Sequence, residues 1–212
     1  MTDEPLPAIV PLFPLSGVLL LPRSPLPLHI FEQRYRAMTR DALEGNGYIA
    51  MAQPAVGVAV ADPQNPPVYS VACLGKIIAS EELDDGRYNI VLRGVIRLRI
   101  EQELTMKDGY RRIEADYSEF KDDLQPVEAD IERDHLLRLL KAYLERRNLK
   151  ANWEDAAEAS NEALVNALAA ACPFDPQEKQ ALLEAETVAD RAALLEALCQ
   201  MDTGNSGPAA LH

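Results

Sequence analysis

Residues 88–100 read YNIVLRGVIRLRI, and their alternation decides how the first half of the chain folds. Tyr88, Ile90, Leu92, Ile96, Leu98 and Ile100 recur with a period of two on one face, while Asn89, Arg93, Arg97 and Arg99 share the other. That pattern predicts antiparallel sheet with one covered and one wet face. Gly94 interrupts the apolar row, and a glycine inside a strand marks a bulge or sharp bend. The segment is bracketed by DDGR at 84–87 and KDG at 107–109. Both are hairpin turns, because Asp-Gly adopts positive φ cheaply. Beyond the second turn, Ile113, Ala115 and Tyr117 alternate against Arg112, Glu114 and Asp116. Upstream, YSVACLGKIIAS at 69–80 is a further strand region, and VADPQNPPV at 60–68 is a polar loop.

Further out lies PLFPLSGVLLLPRSPLPLHIFEQRYRAM at 11–38, which combines a dense apolar run with prolines at 11, 14, 22, 25 and 27. An export signal would need a basic start, yet Asp3 and Glu4 precede the first arginine, Arg23. A spanning helix would need about 20 unbroken apolar residues, and each proline removes a backbone donor and breaks a helix interior. What remains is a series of short extended pieces: AIVPLFPL and GVLLL read as strands confined to edges or bulges. FEQRYRAMTRDAL at 31–43 reads as a helix with Tyr35, Met38 and Ala42 on its inner face. Leu12, Leu19, Leu28, Ile30 and Phe31 are expected in the core, His29 as a structural histidine, and Glu32 with Arg34 as an ion pair at the strand-to-helix corner.

From about Leu124 the period becomes helical. PVEADIERDHLLRLLKAYLERRNL offers Pro126 as a first helical residue and a stripe of Ile131, Leu136, Leu140 and Tyr143. EDAAEASNEALVNALAAACP carries Leu164, Val165 and Leu168 and stops at Pro173. DPQEKQALLEAE has Asp175 as cap, Pro176 at the first position and Glu178 reaching back, and TVADRAALLEALCQM repeats the device with Thr187 and Asp190. Four helices joined by short links predict a bundle over 121–202 after a β-rich part over 1–120. The last stretch, 203–212, has turn-formers without periodicity and is expected to be a disordered tail.

The net charge is −13, which opposes nucleic acid, since phosphate binding needs a basic face. The charge is uneven: 121–212 carries 18 acidic and 9 basic residues, against 16 and 12 in 1–120. Cys73, Cys172 and Cys199 form neither a CxxC pair nor a disulfide framework, which fits a reducing cytoplasm. No GxxxxGK[ST], GxGxxG, HExxH or GxSxG pattern occurs. His29, His135 and His212 are scattered, EELDD at 81–85 reads as a solvated hairpin tip, and Arg97 and Arg99 as the wet face of the sheet. No catalytic, cofactor-binding or metal residue is nominated, and no cofactor is expected.

PLFPL (11–15), Pro22, LPLHIFEQRY (26–35), VACLGKI (71–77) and DGRYNIVLRGVIRLRI (85–100) resemble, in order and spacing, the Lon protease N-terminal domain, often called its substrate-binding domain. EKQALLEAETVADRAALLEAL (178–198) is similar to the segment that closes that domain, so the resemblance spans about residues 9 to 201. It implies an α+β fold: a β-rich PUA-like pseudobarrel with one helix, followed by a four-helix bundle. Lon continues into an ATPase and a Ser-Lys protease domain. This sequence reads as a stand-alone, cytoplasmic, non-catalytic member without them. The resemblance further implies recognition of unfolded or apolar-rich polypeptide segments or of a protein partner, as an adaptor or chaperone-like protein in quality control. The PUA-like relationship alone suggests the alternative, a small-ligand or RNA-binding domain. The expected peptide groove has Pro14, Ser16, Val18 and Arg23 on one rim, with Phe31, Arg34 and Tyr35 at the corner beyond it.

Overall fold

In the computed structural model the residues described are 5–59, 62, 65–147 and 158–204. The two hairpins form where the Asp-Gly turns place them. β4 (Val71–Glu82) pairs antiparallel with β5 (Tyr88–Lys107) from Val71 opposite Arg99 to Glu82 opposite Tyr88. The turn between them closes through Gly86, at φ +75°, whose N–H donates to the Leu83 carbonyl at 2.8 Å. β5 then reverses into β6 (Tyr110–Asp116) through Asp108 and Gly109, at φ +49° and +83°. Two successive positive φ values match the right-handed twist of the flanking strands.

β5 is 20 residues long and, besides β4, serves two further partners. Its first half pairs with β2 (Pro25–Ile30), and its second half pairs with β6. β6 pairs with β1 (Ile9–Pro14), β1 runs parallel to β3 (Tyr48–Ala52), and β3 pairs with β4. The order β5-β4-β3-β1-β6 therefore closes on β5, and β2 is appended outside the ring, with a strand partner on one side among the described residues. Inside the ring, even-numbered residues meet: Val10 and Leu12, Ala50 and Ala52, Ala72 and Leu74, Ile96 and Leu98. Small residues on β3 and β4 leave room for the branched ones on β1 and β5.

Two expectations about the opening stretch change. GVLLL forms no strand: Leu19, Leu20 and Leu21 are buried in an irregular strap that meets the sheet at a bridge between Pro22 and Gly94. The strand is instead PLPLHI, with Leu26, Leu28 and Ile30 facing the same way and Leu28 only half-buried. Phe31 is no core residue. It falls on the opposite parity, at the corner where β2 ends, and is 62% exposed, stacked on His29 with ring centroids 6.2 Å apart. β3 escaped sequence reading because all five of its residues are buried and no alternation shows.

Gly94 marks a bulge, as its sequence position predicts: the β4–β5 register shifts between Leu74 and Gly75, leaving Val95 as the extra residue. Its second role is closeness. A Cβ at Gly94 would overlap the Leu21 carbonyl oxygen. Across the gap Arg23 N–H donates to Gly94 O at 2.8 Å, and Gly94 N–H to Ser24 O at 2.9 Å.

Arg97 corrects the wet-face reading. Its side chain is buried, and its Nε and Nη2 each donate to an Asp123 carboxylate oxygen at 2.9 Å. The same carboxylate accepts the Arg97 backbone N–H at 2.9 Å, and the guanidinium lies 4.9 Å from the Phe120 ring. Asp123 stands in a 3-10 turn, Ser118–Leu124. Arg99 stays at the surface, held by Glu119 at 2.6 Å.

The chain divides into two compact units, Met1–Pro126 with Pro173–Leu183, and Val127–Cys172 with Glu184–His212. The first holds the sheet, α1 (Gln33–Glu44) and most of a later helix, α4 (Pro176–Glu184). Gln180 Nε2 donates to the Val71 carbonyl at 3.1 Å, and Arg97 Nη1 to the Leu183 carbonyl at 3.2 Å. The second unit contains α2 (Arg133–Arg146), α3 (Asn161–Ala171) and α5 (Val188–Gly204), with α5 contacting both others. Leu136, Leu140, Tyr143, Leu164, Val165 and Leu195 are buried there. Pro126 does not start α2: residues 126–132 are non-helical, and the helix begins at Arg133 behind Glu132, whose side chain makes no cap. The better starts hold. Asp175 and Glu178 exchange backbone N–H bonds at 2.8 and 2.9 Å, and Thr187 with Asp190 at 3.1 and 3.0 Å. Of the tail expected to be disordered, residues 203 and 204 lie in α5 and the rest falls outside the described residues. The fold is mixed α and β, with a β-rich sheet first and several helices after it. No described helix is long and apolar enough to cross a membrane.

Candidate functional site

β2 delivers the chain to the corner Phe31–Glu32, and α1 starts there without a side-chain cap. Glu32 turns its carboxylate to Arg34 instead, at 3.0 Å. This expected pair forms in an exposed setting, where ion pairs stabilise by only about 0–1 kcal/mol. The inner face of α1 buries Tyr35, Met38, Thr39 and Ala42, with the Tyr35 ring 4.3 Å from Phe13. Helical spacing then sends Gln33, Arg34, Arg36, Ala37 and Arg40 outward into a cleft of about 900 Å3. The facing wall comes from the two hairpin ends: Glu82, Gly86 and Tyr88 from one, Met106, Asp108 and Gly109 from the other. One wall is a helix face and the other is built from turns whose backbone is set by Asp-Gly, so the cleft is preformed.

Its electrostatics depend on which arginines are already satisfied. Arg34 is bound by Glu32 and lies over the Tyr35 ring at 4.6 Å. Arg36 rests against Gly86, where a Cβ would overlap its guanidinium, and has no carboxylate within 4.0 Å among the described residues. Arg40 reaches Asp41 at only 3.8 Å. The other Asp41 oxygen is held by Lys107 at 2.7 Å and by the Tyr110 hydroxyl at 2.8 Å. The Lys107 bond, with that of Tyr110, keeps the Asp41 carboxyl below the usual carboxylate range. Burial raises the Tyr110 and Tyr88 hydroxyls, with Asp41 and Glu82 adding to it. The phenols therefore stay neutral donors at physiological pH.

A second concave surface lies on the outer face of β2, β5 and β4, a groove of about 520 Å3. One row across it is polar: His29 Nδ1 pairs with Asn89 Oδ1 at 2.8 Å, and Asn89 Nδ2 donates to Glu81 at 3.0 Å. The next row is apolar, Pro27, Val91 and Ala79. His29 is thus engaged within the sheet, as a structural histidine would be.

The seven residues expected at a groove fall in three places. Arg34 lines the cleft, Tyr35 supports it from the core, and Phe31 stands exposed at the corner. Pro14, Ser16 and Val18 surround a turn tied to Gln53, which accepts from Gly17 N–H at 2.9 Å and donates to the Val18 carbonyl. Arg23, at φ +65°, donates to the carbonyl of Asp123. Sequence reading missed Arg36, Arg40, Met106 and Asp108. The first two were legible as an i, i+4 pair opposite the apolar stripe of α1, and the other two only once the hairpin had been placed. Among the described residues no cluster of His, Cys, Asp and Glu fits a metal ion.

Comparison with known proteins gives a consistent picture. The family model for the ATP-dependent protease La (Lon) substrate-binding domain matches residues 9–200. Lon protease 2 of Myxococcus xanthus is 25% identical over 198 residues, covering 92% of this chain and 24% of that protein. Lon protease 1 of Bdellovibrio bacteriovorus is 29% identical over 196 residues, covering 88% and 24%. The chain thus spans about a quarter of the length of the curated relatives it matches. Two solved structures share the fold. A Lon N-terminal domain protein from Xanthomonas campestris has a TM-score of 0.61 at 22% identity, over 89% of this chain and 97% of that one. The N-terminal domain of Mycobacterium avium complex Lon protease has 0.63 at 20%, over 91% and 98%.

Proposed function

We propose, from the premise that this chain belongs to the Lon substrate-binding domain family, that it is a polypeptide-binding module that does no chemistry of its own. It takes up exposed apolar-rich segments, as an adaptor or chaperone-like protein in protein quality control. The closed sheet is read as a PUA-like pseudobarrel carrying the site, and the later helices as its bundle. The observation that carries this reading is the preformed cleft at the α1 corner, lined by Met106, 51% exposed, with Phe31, 62% exposed, two residues before its first lining residue, Gln33. Exposed large apolar side chains gathered at a concavity mark interaction sites. Arg34 lines its mouth, Tyr35 holds Arg34 in place, Phe31 offers an exposed apolar ring at the corner before it, and Pro14, Ser16, Val18 and Arg23 supply a more distant rim. The second groove is less suited to adding a peptide strand, since Pro25 and Pro27 of β2 lack backbone donors.

A flexible peptide loses conformational freedom on binding, which offsets much of its contact energy. Dissociation constants on the order of micromolar or above are expected. Apolar burial drives the binding, so it persists at high salt. The test is a titration of the 212-residue chain with an unfolded apolar-rich peptide, followed by backbone amide NMR shifts. Shifts clustered at residues 31–40 and 106–109 that survive high salt are expected. No shifts with peptide, or salt-sensitive shifts with a short RNA alone, overturn the reading in favour of the nucleic-acid alternative.

A further inference from the structure

We infer that the cleft prefers polypeptide segments in which an acidic side chain sits among apolar ones, and that Arg36 and Arg40 read the acid. The inference rests on the polypeptide-binding reading and names the class of segment.

Arg36 and Arg40 are one helical turn apart on α1, so their guanidinium groups project from the same face. Both line the cleft. Neither holds a carboxylate in close contact: Arg36 has none within 4.0 Å among the described residues, with Asp85 an acid it influences, and Arg40 has only the distant oxygen of an aspartate that Lys107 and Tyr110 already occupy. Elsewhere in the same unit several arginines are matched. Arg87, Arg97, Arg99 and Arg111 each hold a carboxylate in direct contact. Arg112 is engaged by the Thr105 carbonyl, at 2.9 and 3.2 Å, whereas Arg36 and Arg40 are neighbouring arginines without a close carboxylate that line one cavity. The start of α1 adds to the effect. It has no side-chain cap and no acid in its first turn, and it opens beside Gln33 and Arg34, so its positive end faces the cleft.

The remaining lining decides between a peptide and a continuous polyanion. Glu82 and Asp108 lie on the facing wall and would repel successive phosphates, whereas Ala37, Tyr88 and Met106 offer apolar contact between the charges. A polypeptide places one carboxylate opposite the arginines and uncharged residues opposite the acids. Nucleic acid cannot space its charges in this way.

The experiment uses the full 212-residue chain and a pair of fluorescein-labelled peptides, identical in their apolar residues, one with a central Glu-Glu and the other with Gln-Gln. Binding is read by fluorescence anisotropy. At low salt the Glu peptide is expected to bind about fivefold or more tighter, the range open to one or two half-exposed ion pairs. That preference disappears at about 0.5 M salt, where screening acts within a few ångströms. It also disappears in the Arg36→Gln/Arg40→Gln variant, whose affinities for the Glu and Gln peptides become equal whatever their common value. The Gln peptide also controls for folding, since a misfolded variant loses it as well. In that case the singly substituted Arg36→Lys chain, which keeps the charge, is compared with Arg36→Gln and must retain more of the preference. Equal affinity for both peptides in the unsubstituted chain overturns this inference and leaves the polypeptide-binding reading intact. Failure of both peptides to bind overturns the two together. Tighter competition by a single-stranded RNA than by the Glu peptide overturns the choice of ligand.

Discussion

At Gly94 the strap 21–24 crosses β5 in direct hydrogen-bond contact, with bonds of 2.8 and 2.9 Å to Arg23 and Ser24. No side chain fits between the two backbones, because even a methyl group would overlap the Leu21 carbonyl. Gly94→Ala therefore has to lift the strap and expose part of Leu20 and Leu21, which are 2% and 0% exposed. Overpacking of this kind costs about 1–3 kcal/mol, and the loss of two hydrogen bonds places it toward the upper end. Urea unfolding followed by circular dichroism measures it, and a midpoint unchanged from the parent chain would refute the crossing. Gly17→Ala is the informative comparison: nothing lies within 4 Å of its Cβ, so only its positive φ is penalised, by about 1 kcal/mol. The alternation of 88–100 announced a special role for Gly94 but not its partner, which comes from residues some seventy positions earlier. Arg97 teaches the same lesson from the polar side. Its parity placed it with Arg93 and Arg99 on a wet face, and only the 3-10 turn carrying Asp123 converts it into a buried, paired charge.

The helix starts were the most legible elements, because a cap is a local contract among residues three positions apart. Thr187 and Asp190 satisfy each other's backbone N–H groups, and the Thr187 hydroxyl also bonds the Asp190 carboxylate at 2.7 Å. Removing the hydroxyl in Thr187→Ala should lower stability by about 1 kcal/mol, while Thr187→Ser, which keeps the acceptor, should stay within about 0.5 kcal/mol of the parent. Denaturant titration of the three proteins checks this, and equal losses for Ala and Ser would show that the cap does not matter. Pro126 shows how the same logic fails. Proline tolerates the first turn without compelling one, and the residues after it lack a capping partner, so α2 waits until Arg133. The strands divide in a similar way. β5 and β6 alternate because one face is covered and the other is not, whereas β3 is covered on both and shows no period.

Taken whole, the 212 residues carry no phosphate-binding loop pattern, and the polar side chains of the cleft are three arginines, Glu82, Asp108, Gln33, Asn65 and the Tyr88 phenol. Incubation with casein and ATP is accordingly expected to release neither phosphate nor peptides above background. Turnover that persists through repurification would refute the non-catalytic reading. The sequence by itself determined the switch from a period of two to a helical one, the two Asp-Gly hairpins, two of the helix caps and, through ordered motifs, the family. All of these depend on neighbours within a few residues or on patterns repeated along one element. Only the tertiary structure decided that β5 serves both β2 and β6, that the proline-rich strap passes over Gly94, and that Phe31 faces solvent. It also decided that the outer face of α1 meets two hairpin ends to form the cleft. The reason is physical: closing a sheet brings together residues far apart in the chain, and whether an arginine there finds a carboxylate depends on those partners rather than on its own neighbours.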